Sequence, residues 1–410
     1  MKKIELLSPV GNYDSLYAAI ESGADSIYYG IEQLNMRASK INFTIKDIKK
    51  INEICKKKRI RKYLTLNTII YDHDINMVKR ILYEAKEYKI DAIIAMDSFV
   101  IKYSNKLKLP IHISTQLNIT NFESLKFYSK YSDVFVLSRE LNLNQIKYIT
   151  NKINIYNLKG FSKKKIKIEI FCHGSLCMAI SGKCYLSLHT YNSSANRGVC
   201  KQNCRRKYLV KDKDSNIELE VDNEYIMSSK DLCTINFLDK IIDSGVSILK
   251  IEGRNKSPEY ISKCTKYYKE AIKSIYNKTY NKEKILRWIN ELKKVYNRGF
   301  WSGYYLGEKI GQWNNCYGSK AIKKKIFIGF VKKYYNKKKI MEIEVKSNNI
   351  KKKDKILIIG NNLGVKEIEI KLLKNENKEI KNKIKKGNIC TTYVPFKVFK
   401  NNKIYKIINK

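Results

Sequence analysis

Short apolar runs rich in β-forming residues alternate with longer amphipathic stretches from the start of the chain to about residue 255. This alternation is typical of successive βα units around a parallel sheet. Eight strands with interposed helices predict a closed (β/α)₈ TIM-like barrel, with an open doubly wound sheet as the alternative. The eight runs are Ile4 to Ser8, Ser26 to Gly30, Tyr63 to Asn67, Ala92 to Met96, Ile111 to Thr115, Val134 to Ser138, Ile168 to Cys172 and Ile248 to Glu252.

Polar residues follow six of these runs. In a barrel such positions converge on the C-terminal rim, where active sites lie. The alternative is that each of them only caps the helix that follows. The residues at these strand ends are Asn67, Asp97, Ser114, Gln116, Ser138, Arg139, Glu140, His173, Glu252 and Arg254.

The alternation is interrupted between the seventh and eighth runs by residues 173–247, which contain five cysteines. A long insertion at this rim is usually functional. Towards the C-terminus, short β-like runs are separated by Asn, Lys and Gly turns, which is typical of a small all-β, barrel-like domain. The sequence therefore predicts a barrel domain over residues 1–320, with the insertion within it, and a β domain over residues 321–410.

The formal net charge is +43, from 82 basic and 39 acidic residues. About half of it can be discounted as general Lys, Asn and Ile enrichment, and the remainder favours a polyanionic partner, with a solvated lysine coat as the alternative. The N-terminus does not resemble a signal peptide, and no apolar stretch reaches the roughly 18 residues that span a bilayer. We therefore expect a cytoplasmic protein without a membrane association.

The cysteines of the insertion follow the pattern C-x6-C-x15-C-x3-C from Cys177 to Cys204, and Cys233 follows. Disulfides are rare in the cytoplasm, and thiolates are soft ligands for metals. Structural zinc usually takes two tight cysteine pairs, and only Cys200 and Cys204 form one. The wide spacing favours an iron–sulfur cluster, with zinc or buried apolar thiols as alternatives. Cys172 is not included in this set.

Several motifs of the chain resemble the signature of peptidase family U32, the collagenase-like proteins. They are EIFCHGSLCMAISGKCYLS from Glu169 to Ser187, SSANRGVCKQNCR, MSSKDLC, LKIEGR and LLSPVGN. Ser175 stands where alanine is common in the family, and Cys172 stands where an aliphatic residue is usual. In order and length, the chain is most similar to the tRNA-hydroxylating branch of the family.

That resemblance implies a part in the oxygen-independent 5-hydroxylation of the wobble uridine of tRNA, with prephenate as a required metabolite. It also implies a four-iron, four-sulfur cluster. Its ligands would be Cys177, Cys184 and Cys200, with either Cys204 or Cys233 as the fourth.

Ring hydroxylation without oxygen needs electron transfer, which a redox cofactor must carry because side chains cannot. Arg139, Arg254 and Lys250 are candidates to hold a dicarboxylate or phosphate by charge-assisted hydrogen bonds. His112 and His173 are candidate proton carriers, because only histidine titrates near neutral pH without help. The candidate catalytic residues are His173, His112, Arg139, Glu252 and Arg254.

Three other functions compete with this interpretation. A cysteine peptidase would need a thiolate paired with histidine, for which Cys172 with His173, or Cys177, could be considered. Adjacent strand residues face opposite ways, however, and the metallopeptidase motif HExxH is absent. The target could instead be a ribosomal RNA cytidine or a ubiquinone precursor ring, or the chain could be an RNA-binding scaffold with a structural cluster. The compact length and the single β appendage favour tRNA.

Overall fold

The computed structural model describes residues 3–32, 34–37, 43–208, 227–308, 311–316, 318–377 and 379–410. Part of the predicted insertion, residues 209–226, lies outside the described residues.

The first ten strands belong to one sheet. Strands β1 to β7 pair in chain order and in parallel, and β9 pairs in parallel with both β1 and β7. This closes an eight-stranded parallel barrel, and each of its strands coincides with one of the eight apolar runs, so the predicted TIM-like fold is confirmed. The ten strands are β1 Glu5–Pro9, β2 Ser26–Tyr29, β3 Arg61–Leu66, β4 Ala92–Ala95, β5 Ile111–Ile113, β6 Val134–Val136, β7 Lys167–Ser175, β8 Asp231–Cys233, β9 Ile248–Ile251 and β10 Phe300–Trp301.

Helices alternate with the barrel strands. Four helices have an asparagine at the N-cap position, whose side chain accepts a hydrogen bond from a backbone N–H of the first turn. These residues are Asn12, Asn121, Asn142 and Asn281. Asp97 does the same for α4, so this strand-end residue is a cap, as the alternative interpretation had it. The helices are α1 Tyr13–Glu21, α2 Asp47–Lys58, α3 Ile75–Glu87, α4 Ser98–Lys106, α5 Phe122–Ser129, α6 Leu143–Ile155, α7 Leu186–Tyr191, α8 Leu238–Asp243, α9 Pro258–Tyr276 and α10 Lys282–Leu292, with 3₁₀ turns at Asp72–Asp74, Thr115–Leu117, Ala195–Arg197 and Asn203–Arg205.

The seventh strand is longer than its apolar run. It continues to Ser175, where β8 pairs with it in antiparallel orientation, and β10 then pairs in parallel with β8. The register places His173 opposite Cys233. This extension carries the barrel wall beyond the rim and takes the fifth cysteine of the insertion into the sheet.

The C-terminal part is all-β, as predicted, and has its own apolar core around Ile328, Val331, Ile343 and Ile356. Six of its strands form an antiparallel sheet in the order β15-β14-β18-β11-β12-β17, and β13 pairs with β16. The boundary at residue 320 stays a prediction. The strands are β11 Lys323–Tyr335, β12 Ile340–Val345, β13 Ile350–Lys351, β14 Lys355–Gly360, β15 Gly364–Glu369, β16 Lys383–Ile384, β17 Ile389–Tyr393 and β18 Lys403–Asn409.

The C-terminal sheet lies against the outer helices of the barrel. Gly364 on β15 approaches the backbone of Tyr17 and Ala18 so closely that a Cβ there would lie 3.0 Å from the Tyr17 carbonyl oxygen. Lys325 on β11 forms an ion pair of 2.8 Å with Glu259 at the start of α9. Within the described ranges, no helix is long and apolar enough to cross a membrane.

Candidate functional site

A cavity of about 120 Å³ lies at the C-terminal rim of the barrel, where the predicted strand-end residues meet. Six of those ten residues line it, together with Cys177 of the insertion. The predicted convergence therefore places a cysteine loop and a polar barrel mouth around one space. Besides Tyr28 and Cys177, the polar and charged side chains of the lining are Arg37, Thr65, Asn67, Ser114, Thr115, Gln116, Arg139, Ser181, Lys250, Glu252 and Arg254.

Arg254 forms one wall of the cavity. Its guanidinium is buried and donates from Nη1 to Asn35 Oδ1 at 2.9 Å and to Thr65 Oγ1 at 2.8 Å. Gly30 is required beside it, because a Cβ at this position would collide with Nη1. The orientation of the guanidinium is thus fixed before any ligand binds.

Glu252 is the one carboxylate among the described lining residues, and Arg37 forms an ion pair with it at 3.2 Å. Burial alone would raise the pKa of Glu252, but Arg37, Lys256 and Arg139 together lower it below its ordinary value. The Ser175 backbone N–H also donates to its Oε2 at 3.3 Å. Glu252 is therefore ionised at neutral pH.

Arg139 lies with its guanidinium carbon 3.9 Å from the centre of the Phe171 ring, and its Nη1 donates to the Ser175 carbonyl at 3.2 Å. Its Nε is buried and has no hydrogen-bond partner among the residues that the structure describes. Leaving a buried donor unsatisfied costs about 1–3 kcal/mol. A ligand with an acceptor oxygen in the cavity would remove that cost.

A buried ion network lies inside the barrel next to the cavity and includes one of its lining residues, Lys250. Lys250 Nζ lies 2.7 Å from Glu169 Oε1, and Glu169 Oε2 lies 2.8 Å from His112 Nδ1. Burial raises the pKa of Glu169, but Lys250 and His112 outweigh it and bring the pKa to about 2. His112 is not among the lining residues and reaches the cavity only through this network. Its position suits a supporting role better than the predicted proton transfer.

Replacing Glu169 with glutamine is expected to lower the free energy of unfolding by about 3–5 kcal/mol, because it leaves Lys250 buried without a counter-ion. Since the folded-state pKa of Glu169 lies below its ordinary value of 4.5, its contribution is present above pH 4.5 and is lost towards pH 2. Urea unfolding of the metal-free protein between pH 7 and pH 3 measures both effects. Glu123→Gln, at an exposed ion pair on α5, is the matched control, with an expected change under about 0.5 kcal/mol. Equal stabilities of the two variants would contradict the prediction.

The five cysteines of the insertion differ in exposure. Cys177 is exposed, Cys184, Cys200 and Cys204 are half-buried, and Cys233 is buried. Only accessible thiols at the rim can take up a metal without rearrangement of the barrel core.

Hydrogen bonds hold the three cysteine-bearing segments together. Arg205 donates from Nη2 to the carbonyl of Leu176, just before the first cysteine, at 2.6 Å. Asn203 donates to the carbonyl of Leu186, two residues after the second cysteine, at 3.2 Å. The loops of the first four cysteines are therefore tied to one another.

The electrostatics of Cys204 agree with this arrangement. Burial raises the pKa of its thiol, Arg205 lowers it, and Cys177, Cys200 and Cys184 each raise it further. The four cysteines thus lie close enough to affect one another's charge, and a bound cationic group would relieve the repulsion between their thiolate forms. Among the residues that the structure describes, no three His, Cys, Asp or Glu side chains form a site for a single metal ion.

Cys233 lies in a different environment. Its thiol accepts a hydrogen bond from Tyr268 at 3.9 Å, and burial raises its pKa to about 11. The neutral thiols of Cys172 and Cys264, which are fully buried in the barrel core, are its neighbours. Among the described residues, no other cysteine of the insertion affects the pKa of Cys233. The structure places Cys204, and not Cys233, beside the first three cysteines.

His173 is buried among Tyr260, Tyr268 and Phe300, and does not line the cavity. Burial lowers its pKa to about 3, so the imidazole is neutral at physiological pH. The structure therefore does not bring it to the cavity as a proton carrier.

The pair of Cys172 and His173, considered for a cysteine peptidase, does not have the protonation state that such an enzyme needs. Cys172 is fully buried, its thiol donates to the Lys250 carbonyl at 3.4 Å, and burial raises its pKa well above the ordinary value. A nucleophilic cysteine needs the opposite shift and an accessible thiolate. Cys172 and His173 do not form a catalytic dyad here.

Sequence reasoning missed Arg37 and Glu169. Arg37 lies eight residues beyond the end of β2, too far to be read as a strand-end residue. Glu169 had a usable signal, because a glutamate within the otherwise apolar run Ile168 to Cys172 requires a buried partner. Lys250, in the apolar run of β9, is that partner.

Comparison with known proteins identifies the family. The model of peptidase family U32 matches residues 11–315. The chain is 48% identical over 403 residues to a protein named "Collagenase" from Porphyromonas gingivalis, covering 98% of this chain and 97% of that protein. It is 32% identical over 319 residues to "tRNA hydroxylation protein P" of Helicobacter pylori, covering 75% and 72%. A 23S rRNA 5-hydroxycytidine synthase of Escherichia coli is 33% identical over 277 residues, covering 67% of this chain and 40% of that protein. The match extends across the barrel, the rim cavity and the cysteine insertion, and the chain belongs to peptidase family U32.

Proposed function

We propose that this protein takes part in the oxygen-independent 5-hydroxylation of the wobble uridine of tRNA in the cytoplasm. It would use a four-iron, four-sulfur cluster, with prephenate bound in the rim cavity. The observation that carries this proposal is the position of Cys177, which both lines the cationic cavity and belongs to the set of four neighbouring cysteines. Relatives named for the hydroxylation of tRNA and of ribosomal RNA support the reaction type.

The donor set fits an iron–sulfur cluster. Cys177, Cys184, Cys200 and Cys204 offer soft thiolate ligands from separate loops that hydrogen bonds hold together. The cluster would supply the electron transfer that the side chains cannot perform. Arg37 connects the two parts of the site. It forms an ion pair with Glu252 in the cavity, and although burial lowers its pKa, Glu252, Cys200 and Cys177 raise it.

The cavity suits a dianion. Arg37, Arg139, Lys250 and Arg254 face Glu252 within it, and Glu169 neutralises Lys250 from below. Two more cations than anions remain, which matches the two carboxylates of prephenate. Arginine binds a carboxylate through two parallel hydrogen bonds, and the unsatisfied Nε of Arg139 is one such donor. Glu252, kept ionised, is the group that could accept a proton from the substrate.

Peptide hydrolysis is a second candidate, favoured by the name of the Porphyromonas gingivalis relative at 48% identity. The fully buried Cys172 and the neutral His173 give it no support in the site.

The test uses protein purified without oxygen, tRNA that lacks the modification, and prephenate. We expect 5-hydroxyuridine in the digested tRNA, measured by mass spectrometry of nucleosides. Its formation should require prephenate and should fall at least about a hundredfold in Cys177→Ser. A parallel digestion of collagen and gelatin tests hydrolysis. The absence of 5-hydroxyuridine would overturn the proposal. In that case hydroxycytidine formed in ribosomal RNA supplied instead of tRNA would change the target, and collagen cleavage that survives in Cys177→Ser would favour hydrolysis.

A further inference from the structure

A second, larger cavity of about 550 Å³ lies between the barrel and the C-terminal sheet. One wall comes from α9, α10 and the segment after α10, and the other from β11, β14 and the last residues of the chain. Seven lysines and three glutamates line this interdomain groove. The groove therefore concentrates positive charge in a concave space.

The glutamates neutralise only part of that charge. Glu291 binds both Lys263 and Lys294, and Glu259 binds Lys325. On the wall formed by the C-terminal sheet, Lys323 and Lys324 begin β11, and Lys355 begins β14. No ion pair or hydrogen bond of these three ammonium groups is found among the described residues. They are available to an external anion.

Side-chain contacts connect the groove with the rim cavity. Tyr296 lines it, and Lys256 Nζ lies 3.4 Å from the centre of the Tyr296 ring. Arg298, 5.2 Å from the same ring, donates to the Ser175 hydroxyl at 3.2 Å. The backbone of Ser175 in turn contacts Glu252 of the rim cavity. A chain of contacts therefore leads from the cavity to the groove.

We propose that the interdomain groove binds the phosphate backbone of the RNA substrate through Lys323, Lys324 and Lys355. This inference rests on the proposed function, because it takes RNA as the substrate. Ammonium groups act as point charges that suit phosphates, and a concave basic surface attracts polyanions more strongly than a flat one. Backbone contacts of this kind fix the orientation of a nucleic acid without reading its sequence. The groove would thus hold the body of the tRNA while one nucleotide enters the rim cavity.

The high charge of the whole chain makes a matched control necessary. We would compare the triple variant K323E, K324E and K355E with K337E, K338E and K386E, which makes the same charge change at exposed turns of the same sheet. Binding of a full-length tRNA transcript is measured without oxygen at several salt concentrations. The groove variant is expected to weaken binding at least about thirtyfold and to reduce the salt dependence by about 2–3 in log–log slope, against less than about threefold for the control.

A milder triple variant, K323Q, K324Q and K355Q, covers the case in which charge reversal disturbs the sheet. It should weaken binding at least about fivefold at unchanged iron and sulfide content. Equal effects of the groove and control variants would overturn the groove, because only the general field would then matter. If the unchanged protein neither binds nor modifies tRNA, the proposed function fails instead. The two failures are therefore distinguishable.

Discussion

Replacing Cys204 with serine is expected to remove iron and acid-labile sulfide from the anaerobically purified protein, whereas replacing Cys233 is expected to leave both in place. The reason is their position. Cys204 lies at the rim, close enough to Cys177, Cys184 and Cys200 that they raise the pKa of its thiol. The thiol of Cys233 instead accepts a hydrogen bond from Tyr268 in the barrel wall. Serine at the other three rim positions should have the same effect as at 204, with loss of most of about four iron atoms per chain.

Iron and sulfide analysis with absorption and EPR spectra measures this result. Cys390→Ser is the matched control, because Cys390 is fully buried in the core of the C-terminal sheet. It should retain the full content of iron and sulfide. A Cys233→Ser variant without iron, next to a Cys204→Ser variant that keeps it, would reverse the assignment of the fourth ligand. Stoichiometric zinc in place of iron would reject the cluster altogether.

The barrel could be predicted because its strands are buried on both faces. Such strands form nearly continuous apolar runs, and all eight were visible, from Leu6 and Leu7 in β1 to Leu249 and Ile251 in β9. The strand β8 could not be predicted, because three residues show neither alternation nor a run. Its pairing depends on the extension of β7 beyond the rim, which tertiary contacts decide.

The sequence could not decide between the two candidate fourth ligands either, because tertiary contacts also determine their positions. Spacing along the chain places Cys204 and Cys233 equally well, since a loop can bring either one to the rim. The pairing of Cys233 in β8 with His173 in the extension of β7 separates them. The same holds for the polar strand ends, where the type of residue predicts a rim position but cannot distinguish the cap Asp97 from the cavity residue Arg139.

Replacing Arg139 with glutamine is expected to raise the prephenate concentration for half-maximal hydroxylation about 10- to 100-fold, at unchanged iron and sulfide content. A hydrogen bond to a charged partner contributes about 1.5–3 kcal/mol, which corresponds to that range. Arg139 suits this test better than Arg254, which holds Asn35 and Thr65 in place and would disturb the barrel when removed. The rate measurement is made with saturating tRNA.

Arg287→Gln, on the exposed face of α10, is the matched control and should leave the kinetics unchanged. Arg139→Lys separates charge from geometry, because lysine keeps the charge but loses the paired donors of the guanidinium. If Arg139 binds a carboxylate through two parallel hydrogen bonds, the lysine variant should recover only part of the loss. If Arg139 instead contacts an RNA phosphate, the KM for tRNA should rise and that for prephenate should not. In that case Arg37, Lys250 and Arg254 would bind the two carboxylates of prephenate, and Arg139 would not.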